Sequence, residues 1–382
     1  MTQKSFAAII CEYNPFHHGH LYQINELKNK GYGVICVLSG NLVQRGSVSV
    51  ADRYTRAKCA IEAGASLVLE LPVPWCCTSA RDFAFSGVHI AGGIGADFLA
   101  FGAEDGEELL TEIGKVISAE GFFARVSELI DGEKNLSYPK ALGRAVGEII
   151  GDHAEQALKK PNNILSTEYL LALKKHPSLD HIIIPRNSAL ASSTEIRAAN
   201  DRDGMLAFLP EESRTVLGQD PNFPIGGEGL APLVFSALYN ADSVDGIYGM
   251  SGDLLAKLKK HAPCSGSIDE LTERCRDTKY TSARIRRALL ANAFGFRSER
   301  VHAGPTFCCL LGADGEGREF LSRTKKTRSL PVITKPSDAR SLSPEARADY
   351  ERHLRAEHII ALCFGGSAIS DAPYIKDRGG SQ

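Results

Sequence analysis

The 382-residue chain is 43% hydrophobic and 24% charged, with a net charge of −2, the composition of an ordinary globular protein of two or three domains. That length buries a large core without disulfides or structural metal, no apolar run reaches the roughly 18 residues of a membrane span, and the short apolar run near the N-terminus is not built like a signal peptide. A cytoplasmic protein with no membrane contact is expected.

In chain order, Phe6–Cys11, Val34–Leu38, Leu67–Leu71 and Phe98–Phe101 are short apolar runs that predict buried strands. Between them Leu21–Lys30, Asp52–Ala63 and Ser79–Ile94 carry helical spacing. Ile182–Ile184 supplies a fifth strand after a helical stretch from Glu107 to Lys175. This alternation predicts an α/β domain over residues 1–215, a doubly wound, Rossmann-like parallel sheet with helices on both faces. Ligands of such sheets sit beyond the carboxyl ends of the strands. Proline, glycine and asparagine cluster around Pro210–Gly229 and mark a boundary. Residues 225–366 then read as a mainly helical, basic region, with helices at Leu230–Asn240, Asp253–His261, Ile268–Ala293 and Ser343–Cys363, the last N-capped by Ser343. Within it, Phe307–Leu311, Arg318–Lys326 and Val332–Thr334 predict a smaller α/β piece. The polar tail, 367–382, is expected to be loose.

The ten cysteines include no CxxC pair and read as small buried apolar side chains, so no metal site is expected from them. Charge is uneven. Leu271–Lys335 holds 14 Lys and Arg against 6 Asp and Glu, whereas the rest of the chain holds 30 against 40. A basic segment in an acidic chain points to a polyanionic partner. Its candidate phosphate contacts are Lys279, Arg284, Arg286 and Arg287, expected on one helix, and Lys325 and Lys326 with Arg328.

The most informative segment follows the first strand: His17-His18-Gly19-His20 is an HxGH sequence where a strand hands over to a helix. Two imidazoles three residues apart at a helix start can donate to phosphate oxygens, and Gly19 lets backbone approach them. Donors aimed at an α-phosphate stabilise the charge that develops during adenylyl transfer. At the end of the second strand, Ser39-Gly40-Asn41 with Gln44-Arg45 places polar groups and an arginine where a substrate carboxylate or phosphate could be held. Gly102, after the fourth strand, leaves room for an adenosine near the backbone. Ser193, Thr194 and Arg197, in a hydroxyl cluster at a helix start, would grip β- and γ-phosphates.

Together with Glu70-Leu71-Pro72, Pro161-Asn162-Asn163-Ile164-Leu165, Glu168-Tyr169 and Lys279-Tyr280-Thr281-Ser282-Ala283-Arg284-Ile285-Arg286-Arg287, these segments resemble the bacterial tRNA(Met) cytidine acetate ligase family, within the HxGH nucleotidyltransferase superfamily. The resemblance implies ATP as substrate, with Mg²⁺ accompanying it, acetate activated as acetyl-adenylate, and acetyl transfer to N4 of the wobble cytidine of elongator tRNA(Met). It implies His17 and His20 as catalytic residues and an ATP site made of Ile10, Cys11, Glu12, Tyr13, Asn14, Pro15, Phe16, His17, His18, Gly19, His20, Leu21, Tyr22 and Gln23, with Gly102, Asn162 or Asn163, and Arg186. Two alternatives stand beside it: a small-molecule nucleotidyltransferase, and a non-catalytic RNA-binding protein with a degenerate core. Oligomeric state leaves no mark on the sequence.

Overall fold

Alternate residues of the central strands enter two different cores, as a strand's period of two requires when both faces are covered. The computed structural model describes residues 4–133, 136, 138–187, 189–199, 201–364 and 372–376. Its first part runs β1 (Phe6–Cys11), α1 (His18–Asn29), β2 (Gly33–Ser39), the hairpin β3 (Leu42–Val43) and β4 (Ser47–Val48), α2 (Arg53–Glu62), β5 (Leu67–Leu71), α3 (Ala80–Gly93) and β6 (Phe98–Ala103). Five helices follow, α4 (Glu107–Ile117), α5 (Phe122–Gly132), α6 (Tyr138–Ile150), α7 (Asp152–Ala157) and α8 (Pro161–Leu173), before β7 (Asp180–Pro185). The remainder is α9 (Ser193–Arg197), α10 (Arg202–Ala207), α11 (Glu211–Gln219), α12 (Ala231–Tyr239), α13 (Gly252–His261), α14 (Ile268–Cys275), α15 (Ser282–Phe294), α16 (Ser298–Ala303), β8 (Cys308–Ala313), α17 (Gly315–Thr324), β9 (Val332–Ile333), α18 (Pro344–Cys363) and β10 (Tyr374–Ile375).

The predicted parallel sheet is present, in the order β10-β8-β5-β2-β1-β6-β7, with β9 also on β8. Chain order reverses between β1 and β6, and the crevice beyond their carboxyl ends is where a doubly wound sheet binds ligands. Ala8, Ile35, Val37, Leu69 and Phe101 point into one core, which runs on through Trp75 to α12–α15 and α18. Ala7, Ile9, Cys36, Leu38 and Val68 point into the other, under α1, α2 and α11. Helices α4–α7 close a third, smaller core of their own.

Three expectations change. Phe307–Leu311 does not belong to a separate small α/β piece: as β8 it adds antiparallel to the free edge of β5, Val68 opposite Gly312. The helix expected over Ile268–Ala293 is two helices, because the Asp277 carboxylate accepts from the N–H groups of Lys279 and Tyr280 and turns the chain. Thr281 then caps α15 by accepting from the Arg284 N–H. The part of the tail within the described residues, 372–376, is held rather than loose: β10 pairs with β8, and Lys376 meets Glu62 at 2.7 Å. The rest of that tail lies outside the described residues. Among the described residues no helix is long and apolar enough to cross a membrane.

Candidate active site

The HxGH loop folds as a helix cap. His17 sits in extended conformation at the N-cap of α1, where its Nδ1 accepts from the Gly19 N–H at 3.0 Å. The His17 N–H in turn donates to Nδ1 of His20 at 3.2 Å, a reciprocal capping box made of two histidines. With both Nδ1 atoms accepting, each ring presents its Nε2 as the N–H donor. The rings stack at 3.7 Å between centroids. Burial, then His18, Arg186 and Arg197, lower the His17 pKa to about 4, and burial followed by His17 lowers that of His20. Both imidazoles are therefore neutral donors at pH 7.

The role of Gly19 differs from the one expected of it. Its N–H is taken by His17, and a Cβ there would lie 2.9 Å from the His17 ring, so glycine makes room for the imidazole rather than for a phosphate. The loop before it is fixed from behind. Tyr13 holds a left-handed φ of 46° while fully buried, its ring edge-on to Phe16 at 4.8 Å. Asn14 accepts from the Val50 N–H at 2.8 Å through its side chain, and its carbonyl accepts from Arg197.

All the residues predicted for ATP except Pro15, Phe16, His18, Leu21 and Asn163 line one cavity of about 680 Å³ at the β1/β6 reversal. Pro15 and Phe16 are buried behind the loop, His18 is exposed and Leu21 packs on α1's own core side. Of the asparagine pair, Asn162 faces the cavity and donates to Glu104, which also holds Arg186, each at 2.7 Å. Asn163 is buried and accepts from the Glu104 N–H. Gly102 lines the cavity, and the atom nearest to a Cβ there would be Gln23 Nε2 at 3.6 Å. Ser192 caps α9 in a capping box with Glu195, which puts Ser193, Thr194 and Arg197 on the cavity wall.

The predicted substrate loop divides. Gln44 and the exposed Arg45 line the cavity, and the Gln44 N–H donates to Glu12 at 2.6 Å. Burial raises the Glu12 pKa against the pull of that N–H, Arg197 and Arg45. Ser39, Gly40 and Asn41 are instead buried over a charged cluster: Asn41 donates to Glu357 at 2.6 Å, and a Cβ on Gly40 would meet Glu70 at 2.8 Å. There Arg53 pairs with Glu357 and with Glu70, and His353 of α18 lies 3.3 Å from Glu70. Beside them Arg56, fully buried, donates to the carbonyls of Glu12, Ser39, Gly40 and Ala51. Burial alone would raise the Glu70 pKa, but Arg53 and His353 hold it at about 2. Glu70, Cys309 and His353 come close enough to chelate a cation, yet Arg53 already neutralises Glu70.

Sequence reasoning missed Arg53, Arg56, His353 and Glu357. One signal was available: Glu70 is the lone charge in the apolar strand Leu67–Leu71, and a buried carboxylate calls for a cation.

A larger cavity of about 1510 Å³ adjoins the first; Gln44, Ala80 and Ile164 line both. Lys279, Arg284 and Arg287 line the larger one, but Lys279 lies in the turn before α15 rather than on it. Arg286 points away and pairs with Asp269 at 2.9 Å. Arg287 donates to the Gln44 carbonyl at 2.9 Å. Gly46, at φ 80°, leaves no space for a Cβ, which would lie 2.6 Å from the Arg287 nitrogen. The helical region is thus docked onto the loop that lines the first cavity. Lys325 and Lys326 stand elsewhere, at the amino ends of the parallel strands, where Thr324 packs on Gly95 and Arg323 covers Phe6.

A doubly wound sheet with an HxGH cap at its crevice defines the class, and residues 4–371 match the model of the HIGH Nucleotidyl Transferase family. The chain is 32% identical to the tRNA(Met) cytidine acetate ligase of Caldanaerobacter subterraneus subsp. tengcongensis, over 96% of this chain and 97% of that one. It is 30% identical to the tRNA(Met) cytidine acetate ligase of Acetivibrio thermocellus, over 95% and 96% of the two chains. The structure of Thermotoga maritima TmcAL bound with alpha-thio ATP superposes with a TM-score of 0.90 and 26% identity, covering 98% of this chain and all of that one. The chain belongs to the tRNA(Met) cytidine acetate ligase family of HIGH nucleotidyl transferases.

Proposed function

We propose that this chain is an ATP-dependent, tRNA-modifying ligase that activates acetate as acetyl-adenylate and transfers the acetyl group to N4 of the wobble cytidine of elongator tRNA(Met). The observation that carries this reading is the pair of neutral, stacked imidazoles with both Nε2 donors free to face a cavity at the sheet's reversal point. An acetate oxygen attacks the α-phosphorus, and the bond to the β-phosphate bridge breaks to release pyrophosphate. His17 and His20 donate to the oxygens on which charge develops, and being neutral they are already in donating form. Ser193, Thr194, Arg186 and Arg197 hold the outer phosphates, Asn162 and the open side of Gly102 take the nucleoside, and Arg45 meets the acetate carboxylate or a phosphate.

Mg²⁺ accompanying ATP fits this lining. Among the described residues Glu12 is its one carboxylate and already accepts from Gln44, so the ion would keep mainly phosphate and water ligands. Residues 1–215 carry the adenylation site, with β8 and α18 completing its sheet and its lock, and the basic helical part of 225–366 serves the tRNA. Arg284, Arg287 and Lys279 contact phosphates at the larger cavity, and Lys325 and Lys326 reach a more distant part of the same RNA. A tRNA substrate places the protein in the cytoplasm. The reading is tested by mass spectrometry of position 34 after incubating tRNA(Met) with enzyme, ATP and acetate. N4-acetylcytidine is expected there, and none when acetyl-coenzyme A replaces ATP and acetate. Efficient acetylation from acetyl-coenzyme A alone would overturn it.

A further inference from the structure

Cations outnumber acids among the charged residues of the larger cavity, yet one buried carboxylate faces it without a partner. Glu168 is 5% exposed and lines the cavity. Among the described residues no hydrogen bond or ion pair engages it; the field of Arg81 favours its charge and that of Asp82 opposes it. An unpaired carboxylate is costly to bury, so a site that keeps one is missing its donor.

The position of Glu168 says where that donor comes from. Helix α8 forms the wall between the two cavities: Asn162, Leu165 and Tyr169 face the smaller one, and Ile164 lines both. Glu168 stands one turn beyond Ile164 on the same face, about 6 Å along the axis, on the side of the larger cavity. Around it, three of the cavity's cations rest on aromatic faces. Arg81 lies 5.5 Å from the Phe123 ring centre, Lys175 lies 4.6 Å from Phe85 and Arg284 lies 5.1 Å from Tyr280. Such a surface suits an RNA strand whose phosphates meet cations while an unstacked base turns inward. Of the two pyrimidines, cytosine presents an amino donor at position 4 that a carboxylate accepts, whereas uracil presents an oxygen that a carboxylate repels.

We propose that the Glu168 carboxylate receives the exocyclic amino group of the target cytosine and takes its proton as the acetyl group is transferred. This rests on the function proposed above. The N4 lone pair forms a bond to the acetyl carbonyl carbon, and the bond from that carbon to the AMP phosphate oxygen breaks. AMP leaves with the electron pair, and the surplus N4 proton passes to Glu168 and later to water. Burial, with Arg81 opposing it and Asp82 adding to it, raises the carboxyl pKa to about 7, where a base works best near neutral pH. Arg81 and Asp82 of α3, Asp131 of α5, Tyr138 of α6, Lys174 and Lys175 at the end of α8, Lys279 before α15, Arg284 and Arg287 on it, and His302 of α16 are the titratable and charged groups that line the cavity with it.

Glu168→Gln keeps the shape and an acceptor oxygen and removes the base. Acetate-dependent pyrophosphate release without tRNA should be unchanged, which also shows that the variant is folded. Single-turnover transfer to tRNA should fall by roughly 10²–10⁴-fold, and Glu168→Asp should recover part of it. The wild-type transfer rate should rise with pH through about 7, and the Gln variant should lose that rise. Unchanged transfer in Glu168→Gln, or equal loss of both half-reactions, would overturn the assignment while leaving the ligase reading intact. Wild-type enzyme that releases no pyrophosphate with acetate would overturn the ligase reading itself.

Discussion

Two polar constellations meet at the carboxyl ends of the strands, and they are built in opposite ways. In the cluster of Arg53, Glu70, Asn41, His353 and Glu357, cation faces anion with no cavity between them. In the HxGH cavity, neutral imidazoles, an exposed Arg45 and the Ser193–Thr194 wall face open space. The first arrangement spends its charge on locking the Ser39–Asn41 loop to α18. The second keeps its donors for something that is not protein. The difference teaches that polar residues at the strands' carboxyl ends can lock the fold or face open space, and sequence position alone does not reveal which case holds.

The comparison breaks first at Arg53. Arg53→Met should destabilise the fold by about 3–5 kcal/mol, because Glu70 and Glu357 would stay buried without their cation; denaturant titration measures it. If stability is unchanged, the cluster is not the lock described here. A smaller effect of opposite sign is expected at Glu168. Its folded pKa of about 7 lies above the ordinary 4.5, so it favours the folded state least once ionised. Glu168→Gln should be no more stable than wild type below pH 4.5, gain over it as pH rises to 7, and level off at up to about 3 kcal/mol. Glu70 has the reverse sign: held at about 2 against 4.5, it contributes stability that is complete above pH 4.5 and lost as pH falls toward 2. Acid unfolding of Glu70→Gln should therefore be shallower across that window.

Much of this was legible in the sequence, for physical reasons. Parallel strands and their helices announce themselves by local period, and HxGH is local too, so β1, β2, β5, β6 and the His17–His20 pair needed no long-range information. The lock was not legible because Arg53 and Glu357 lie some 300 residues apart, and neither period nor spacing encodes that pairing. Nor was β8: a short apolar run looks the same whether it starts a new sheet or covers the edge of an old one. The basic segment was visible as composition, but only the fold separates Arg284, at the cavity, from Arg286, which is paired on the other side of the same helix.

That separation gives the smaller predictions. Arg284→Ala should weaken binding of all tRNAs alike and make the log–log salt slope shallower by about one unit, with adenylation unaffected. Arg287→Ala should also slow adenylation, because its guanidinium holds the Gln44 carbonyl. Lys325→Ala/Lys326→Ala should weaken tRNA binding least and leave adenylation alone; fluorescence anisotropy at several salt concentrations ranks the three.

The central claim is that the donors left free by the HxGH cap perform adenylation, and acetate-dependent pyrophosphate release from ATP in the absence of tRNA tests it most directly. His17→Ala and His20→Ala should each lower that rate by roughly 10²–10³-fold while tRNA binding persists. Pyrophosphate release at the wild-type rate in both variants would contradict the account.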